Sequence, residues 1–177
     1  MVLVTTIFEV QEEAVKMKEK LLFVTKGGNN LEEGFSYAID LAKTLDAGIV
    51  ILMIFEKQMN SDFEDSMAAA AFAEAGEFRT AQEILHEQEK ETNKIAEKAF
   101  RKLSEKYKEI SGDLSYHITF SDINLSIKDF LKNMSSVDMI LISPSLTVNK
   151  GVIDVKKLLK NISKPIVTIS RPEQASA

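Results

Sequence analysis

The 177-residue sequence contains no cysteine, so disulfide bonds, thiolate nucleophiles and cysteine-ligated metals are excluded. It contains only two histidines, His86 and His117, and neither has a partner at a metal-ligating spacing such as HExxH. A Gly-x-Ser-x-Gly elbow, which would present a nucleophilic serine, is also missing. We therefore predict no metal site, no catalytic residues and no enzyme activity.

Long apolar runs are missing as well. No run approaches the roughly 18 residues that would indicate a membrane helix, and the apolar start Met1–Phe8 has no basic flank or small-residue cleavage site. Acidic residues outnumber basic ones by 27 to 22, and the net charge of -5 argues against nucleic acid or an anionic membrane as partner. We expect a cytoplasmic protein.

The composition is that of an ordinary globular chain, with 45% hydrophobic and 28% charged residues. Its length suggests one domain with a sizeable core. We predict an N-terminal extension over residues 1–19, a domain over 20–170, and a flexible tail over 171–177. The extension begins with apolar residues, so we expect Met1–Phe8 to dock on the domain or on a second subunit.

Apolar segments alternate with helical patterns along the chain. A capping-box pattern predicts a first helix that begins at Asn30, and Gly48 would end it. A long helical region over about 62–110 should break between Ala75 and Thr80, where Gly76 weakens it. Shorter helices are predicted over 125–134 and 154–161. Five strands are predicted, at Leu21–Thr25, Ile49–Phe55, Leu114–Phe120, Met139–Ile142 and Ile166–Ile169. This order predicts an α/β fold with an open five-stranded parallel sheet and helices on both faces.

The alanine-rich segment Met67–Ala75 allows two interpretations. It can cover the chain's own sheet. Alternatively it can form a subunit or partner interface, because small residues beside methionine and phenylalanine let another helix approach closely.

The first strand runs into a glycine-rich turn, Thr25-Lys26-Gly27-Gly28, and a helix follows. One interpretation is a tight turn that needs glycine for its backbone angles. The other is an anion site built from Lys26 and the free N–H groups at the start of a helix. The loop Ser143-Pro144-Ser145 and the stretch Asn149–Gly151 would form the other half of the cleft, as turn residues or as hydroxyl ligands.

Four stretches in order resemble the universal stress protein family: KLLFVTKGG, AIDLAKTLDAGIVILMIF, SDINLSIKDFLKNMSSVDMILIS and LLKNISKPIVTIS. The resemblance implies the strand order 3-2-1-4-5 and a homodimer that pairs through the last strand. In the members that bind ATP, the nucleotide lies across the carboxyl ends of strands 1 and 4, the topological switch point of the sheet.

The sequence departs from the family's ATP-binding pattern. Lys26 stands near the position where those members carry aspartate, and Ser143, Pro144 and Val152 stand about where they carry glycines of a phosphate loop. Only Gly151 remains in a loop that is several residues shorter. The missing glycines would have let backbone N–H groups approach the phosphates, so we predict no cofactor and disfavour ATP. The residues of the candidate ligand cleft are Thr25, Lys26, Gly27, Gly28, Ser143, Ser145 and Gly151.

These observations predict a non-catalytic stress-response or regulatory binding protein. The short, mostly apolar last strand Ile166–Ile169 would lie at an unprotected sheet edge. We therefore expect a homodimer through that strand, and a further protein partner is a second expectation. The alternative is an adenine-nucleotide-binding signalling module with an altered phosphate loop, in which Lys26 and the loop near Ser143 hold the nucleotide.

Overall fold

The structure is a computed structural model that describes residues 18–28, 31–55, 59–147 and 154–171. Its sheet contains five parallel strands in the order β3-β2-β1-β4-β5, which confirms the predicted fold and strand order. The strands are β1 (Lys20–Lys26), β2 (Gly48–Ile54), β3 (Leu114–Thr119), β4 (Val137–Ile142) and β5 (Ile166–Thr168).

Helices cover both faces of this sheet. They are α1 (Phe35–Leu45), α2 (Met59–Glu74), α3 (Phe78–Lys106), α4 (Ile123–Asn133), α5 (Pro144–Thr147) and α6 (Val155–Asn161), with a 3-10 helix at Lys108–Asp113. The apolar residues of α1 and the second half of α3 pack on one face. Those of α4, α5 and α6 pack on the other. Every residue of β2 is buried, as its unbroken apolar sequence predicted.

Both predicted ends of the first helix are wrong. Helix α1 begins at Phe35, because Gly34 takes a left-handed conformation at φ 78° and residues 31–34 form a turn instead. Asn30, the predicted cap, lies outside the described residues. The helix ends at Leu45, and Asp46, left-handed at φ 50°, caps it in place of the expected Gly48. Gly48 is the first residue of β2.

The predicted break in the long helical region is confirmed. Helix α2 ends at Glu74 and α3 begins at Phe78. Between them Gly76 has φ 82°, its N–H donates to Ala73 O at 3.1 Å, and the N–H of Glu77 donates to Phe72 O at 2.8 Å. These are the two bonds of a Schellman motif, which ends one helix and turns the chain sharply into the next.

The 3-10 helix ends at Asp113, directly before β3. Helix α5, only four residues long, was not predicted. No helix in the described ranges is both long and apolar enough to cross a membrane. The predicted docking of Met1–Phe8 falls on residues outside the described part of the chain.

Candidate functional site

The candidate cleft lies where β1 and β4 end. From β1 the chain crosses to β2 on one side, and β4 pairs with β1 on the other, so this point is the topological switch of the sheet. Open α/β sheets generally bind ligands in the crevice outside the strand ends at such a point. We call this place, bounded by Thr25 and Ser143, the switch crevice.

Three hydroxyl groups meet at the bottom of the switch crevice. The Oγ of Ser145 lies 3.3 Å from Thr25 Oγ1 and 3.0 Å from Ser143 Oγ, and it accepts a hydrogen bond of 3.2 Å from the N–H of Lys26. Thr25, Ser143 and Ser145 are all buried. Buried hydroxyls need partners, and these three find them in one another and in the backbone.

Local sequence explains the position of two of these hydroxyls. The N–H of Ser143 donates to Val24 O at 2.9 Å, which extends the β1–β4 pairing by one residue. The Oγ of Ser143 then accepts from the N–H of Ser145 at 3.3 Å, as the N-cap of α5. Pro144 occupies the first helical position, where its missing N–H costs nothing. The Ser-Pro pair therefore places Ser145 over β1.

The turn before α1 closes one side of the crevice. The Oγ of Ser143 donates to Glu33 O at 3.3 Å. Gly34 lies so close that a Cβ there would stand 2.8 Å from Pro144 Cδ and 3.2 Å from Ile169 Cγ2. Arg171 pairs with the Glu33 carboxylate through Nε and through Nη2, the latter at 3.1 Å, and the hydrogen bond to Glu33 raises the pKa of Arg171.

The ring of Phe55 occupies the side of the crevice next to the glycine turn. The N–H of Gly27 donates to Ile54 O at 2.8 Å, and a Cβ on Gly27 would collide with the Phe55 ring. Gly28 is left-handed at φ 107°, with open space where a Cβ would be. The tight-turn interpretation therefore has a structural basis at both glycines. Gly27 leaves no room for a side chain beside the Phe55 ring, and Gly28 has a positive φ that favours glycine.

The structure brings five of the seven candidate residues together: Thr25, Lys26, Gly27, Ser143 and Ser145. Gly28 leads out of the turn, and Gly151 lies outside the described residues. Their binding of a ligand stays a prediction. The sequence analysis placed Pro144 in the loop of the cleft, but it missed three other residues that fill the crevice: Glu33, Gly34 and Phe55. No local pattern in the sequence indicated those three.

A separate cavity of about 310 Å³ lies beside the end of α3. Two of its lysines form ion pairs: Lys43 Nζ lies 2.8 Å from Glu109 Oε2, which also lines the cavity, and Lys106 Nζ lies 3.4 Å from Glu32 Oε2, which does not. The hydrogen bond between Lys43 and Glu109 raises the pKa of the lysine and lowers the pKa of the carboxyl. The cavity is lined by Lys43, Glu105, Lys106, Tyr107, Lys108, Glu109 and Ile110.

The histidines lie apart from these places. His86 is exposed on α3, with Nδ1 3.7 Å from Glu89 Oε2. His117 is exposed on β3, and its ring meets that of Phe130 edge to face at 5.0 Å. Within the part of the chain that the structure describes, no three metal-ligating side chains are grouped.

We compared the chain with known proteins to find which of them share its fold. No family model matches the chain, and no curated protein matches it. Among solved structures, the universal stress protein UspA from Lactobacillus plantarum superposes with a TM-score of 0.56 and 13% identity, over 86% of this chain and 97% of that one. The hypothetical protein MJ0577 superposes with a TM-score of 0.51 and 16% identity, over 89% and 99%.

The chain has the universal stress protein fold. The resemblance inferred from the sequence is thereby confirmed at the level of the fold. A universal stress protein family protein from Arabidopsis thaliana, solved with AMP bound, aligns over 90% of this chain and 95% of its own at 11% identity. Its TM-score is 0.49, and at that score it supports no inference about a ligand of this chain.

Proposed function

We propose that the protein is a non-catalytic regulatory protein of the stress response, which acts in the cytoplasm by binding other molecules as a homodimer. One observation carries the non-catalytic part: the switch crevice is occupied by the chain's own residues. Phe55 and Pro144 fill its sides, and Thr25, Ser143 and Ser145 hydrogen-bond to one another within it. A nucleotide would have to displace these contacts before it could enter.

The chemistry of the crevice supports the same proposal. A serine or threonine becomes a nucleophile only beside a general base that takes its proton. The hydrogen-bond partners of the three hydroxyls in the described residues are other hydroxyls and backbone groups, and none is an imidazole or a carboxylate. Such a set can hold a structure together but does not activate a hydroxyl for attack.

The homodimer is supported by the position of β5. Among the described strands it pairs only with β4 and therefore forms one edge of the sheet. An edge strand offers unpaired N–H and C=O groups to another chain, and the same strand can serve both subunits about a two-fold axis. Three residues of pairing are too few alone, so further apolar cover is needed for a stable interface of roughly 1,200 Å².

An adenine-nucleotide-binding signalling module is the second candidate. The observation in its favour is the location of the Thr25 and Ser145 hydroxyls, which lie at the switch point where this architecture accepts ligands. In that case Lys26 and the residues near Ser143 hold the nucleotide after the turn before α1 and Phe55 have moved aside.

Calorimetric titration with magnesium-ATP and with AMP separates the two candidates. We expect no saturable heat up to about 1 mM nucleotide, a limit that corresponds to a binding free energy of about -4 kcal/mol, and no phosphate release above background. A dissociation constant in the low micromolar range would refute the first proposal. Lys26→Ala should then weaken binding while Lys128→Ala, an exposed lysine on α4, should not.

A further inference from the structure

Helices α2 and α3 form a hairpin that extends away from the sheet. Helix α2 packs along α3, and among its described side chains only Ala69 is buried. Among the side chains that the structure describes, none from α2 belongs to either core cluster, and the first from α3 that does is Ala96. At about 1.5 Å per residue, α3 runs roughly 27 Å from Phe78 before it reaches the core. The interpretation that Met67–Ala75 covers the sheet is therefore wrong.

Large apolar side chains are exposed near the end of this hairpin. Met67 is 59% exposed, Phe72 38% and Phe78 67%. Alanines that are also exposed lie between them, and the Schellman motif at Gly76 fixes the two helices relative to each other. We call this surface the tip patch. It consists of Met67, Ala70, Ala71, Phe72, Ala75 and Phe78.

The charged side chains between Glu64 and Phe78, the segment that carries the tip patch, all have one sign. From Glu64 to Phe78 the chain carries the carboxylates of Glu64, Asp65, Glu74 and Glu77 and no lysine, arginine or histidine. The nearest basic residue in the sequence is Arg79, which is highly exposed and lies 3.4 Å from Glu83. Apolar side chains bordered by carboxylates make a surface that favours a cationic, apolar partner.

We propose that the tip patch binds a basic amphipathic helix of another protein. The side chain of methionine adapts to different apolar shapes, and alanines allow a second helix to come close. A second copy of the same patch is disfavoured, because it would bring two acidic surfaces together. Anionic membranes are disfavoured for the same reason. This inference rests on the proposed binding function and names the class of partner.

The probe is a fluorescently labelled synthetic peptide of leucine and lysine, with leucines spaced three and four residues apart. Fluorescence anisotropy should report saturable binding that weakens as salt is raised, since the charged groups are exposed. The double variant Met67→Ser, Phe78→Ser should weaken binding by about tenfold or more, as expected when two exposed anchors are truncated. The matched control is Leu45→Ser, Leu125→Ser, which removes two side chains of similar exposure elsewhere and should leave binding unchanged.

A second pair of variants tests the charges. Glu74→Gln, Glu77→Gln should weaken binding at low salt and flatten its salt dependence, whereas Asp129→Asn, Asp138→Asn should do neither. All four side chains are exposed, so circular dichroism and melting temperature should stay at the wild-type values.

Several outcomes would overturn the proposal. One is a Met67→Ser, Phe78→Ser variant that binds the peptide as tightly as the wild type. Another is that the same variant differs from the wild type only in a smaller sedimentation coefficient, which would mean that the tip patch binds a second copy of this chain. A third is binding of the wild type to vesicles that the same variant loses, which would assign it to a membrane. Tight ATP binding with unchanged peptide binding would instead refute the proposed function and leave the patch in place.

Discussion

Ser145 is the single residue on which most contacts of the switch crevice depend. Its Oγ joins Thr25 of β1, Ser143 at the end of β4 and the N–H of Lys26. Ser145→Ala would remove one hydrogen bond from each of these three groups, and the side chains of Thr25 and Ser143 are fully buried. Removal of one partner from a buried hydrogen bond costs about 1–3 kcal/mol. We expect a loss of that size in the free energy of unfolding, measured by urea denaturation.

Ser121→Ala is the control for this change, because Ser121 is exposed after β3 and should contribute little. Equal stabilities of the two variants would mean that the hydroxyl cluster is not a structural contact. The Ser145→Ala variant would then be re-examined by nucleotide titration, since a group that does not stabilise the fold is free to serve a ligand.

The sequence could indicate where the crevice residues lie but not what fills the space between them. Thr25 and Ser143 each end an apolar strand, so periodicity alone brings them to the same edge of a parallel sheet. The ring of Phe55 over Gly27 and the contact of Gly34 with Pro144 join residues that are distant in the chain or in different loops. No local pattern encodes such contacts, because they depend on how the loops pack after the sheet has formed.

Among the elements, the strands were the most predictable and the helix ends the least. Buried parallel strands are continuous apolar runs, and β2 is wholly apolar from Ile49 to Ile54. The start of α1 was misplaced because Asn30 and Glu33 fit a capping box, whereas the left-handed Gly34 imposes a turn first. Helix α5 is too short to show a helical period.

The connection between α2 and α3 depends on the left-handed conformation of Gly76. A Cβ at this position would meet no other atom, so the only cost of Gly76→Ala is that of the left-handed backbone, about 1–2 kcal/mol. Because the hairpin extends away from the sheet, we expect Gly76→Ala to destabilise the hairpin and not the rest of the domain. Amide exchange of Glu77, whose N–H bonds to Phe72 O, should accelerate, and peptide binding to the tip patch should weaken.

Gly112→Ala is a matched control for that substitution. Gly112 also has open space around its Cβ position, but its φ is not in the left-handed range. Alanine there should be neutral or stabilise by about 0.4–1 kcal/mol, because it restricts the unfolded chain. Equal effects of the two substitutions would show that the conformation of Gly76 does not hold the hairpin.

At the scale of the whole molecule, the two ends of the sheet have different surroundings. Helix α3 packs beside β3, where Phe100 and Tyr116 lie with ring centroids 4.6 Å apart. The hairpin therefore belongs to the β3 side, and β5 forms the opposite edge. A homodimer through β5 would carry one tip patch at each of its outer ends. Two copies of a weak site on one particle increase the avidity for a partner that can reach both.

The edge that β5 offers is defined by its hydrogen bonds. Pro165 O accepts from Ile140 N–H and Ile169 N–H donates to Ile142 O, both at 2.9 Å, while Val167 stands opposite Leu141. In a parallel pair alternate residues bond to the neighbouring strand. The N–H and C=O groups of Ile166 and Thr168 therefore point away from β4, toward the position of a second subunit.

Thr168→Pro tests the dimer without disturbing the core. The side chain of Thr168 is exposed, whereas Val167 and Ile169 pack against the core, so substitutions at those two would confuse folding with assembly. Proline removes an N–H that β4 does not use, and prolines are tolerated on the outer side of edge strands. We expect the wild type to sediment as a dimer at about 50 μM, a concentration that exceeds a dissociation constant in the low micromolar range. The Thr168→Pro variant should sediment as a monomer and keep the circular dichroism spectrum of the wild type. Thr168→Val keeps the N–H and should remain dimeric. A wild type that is already monomeric, or a Thr168→Pro variant that still dimerises, would rule out pairing through β5.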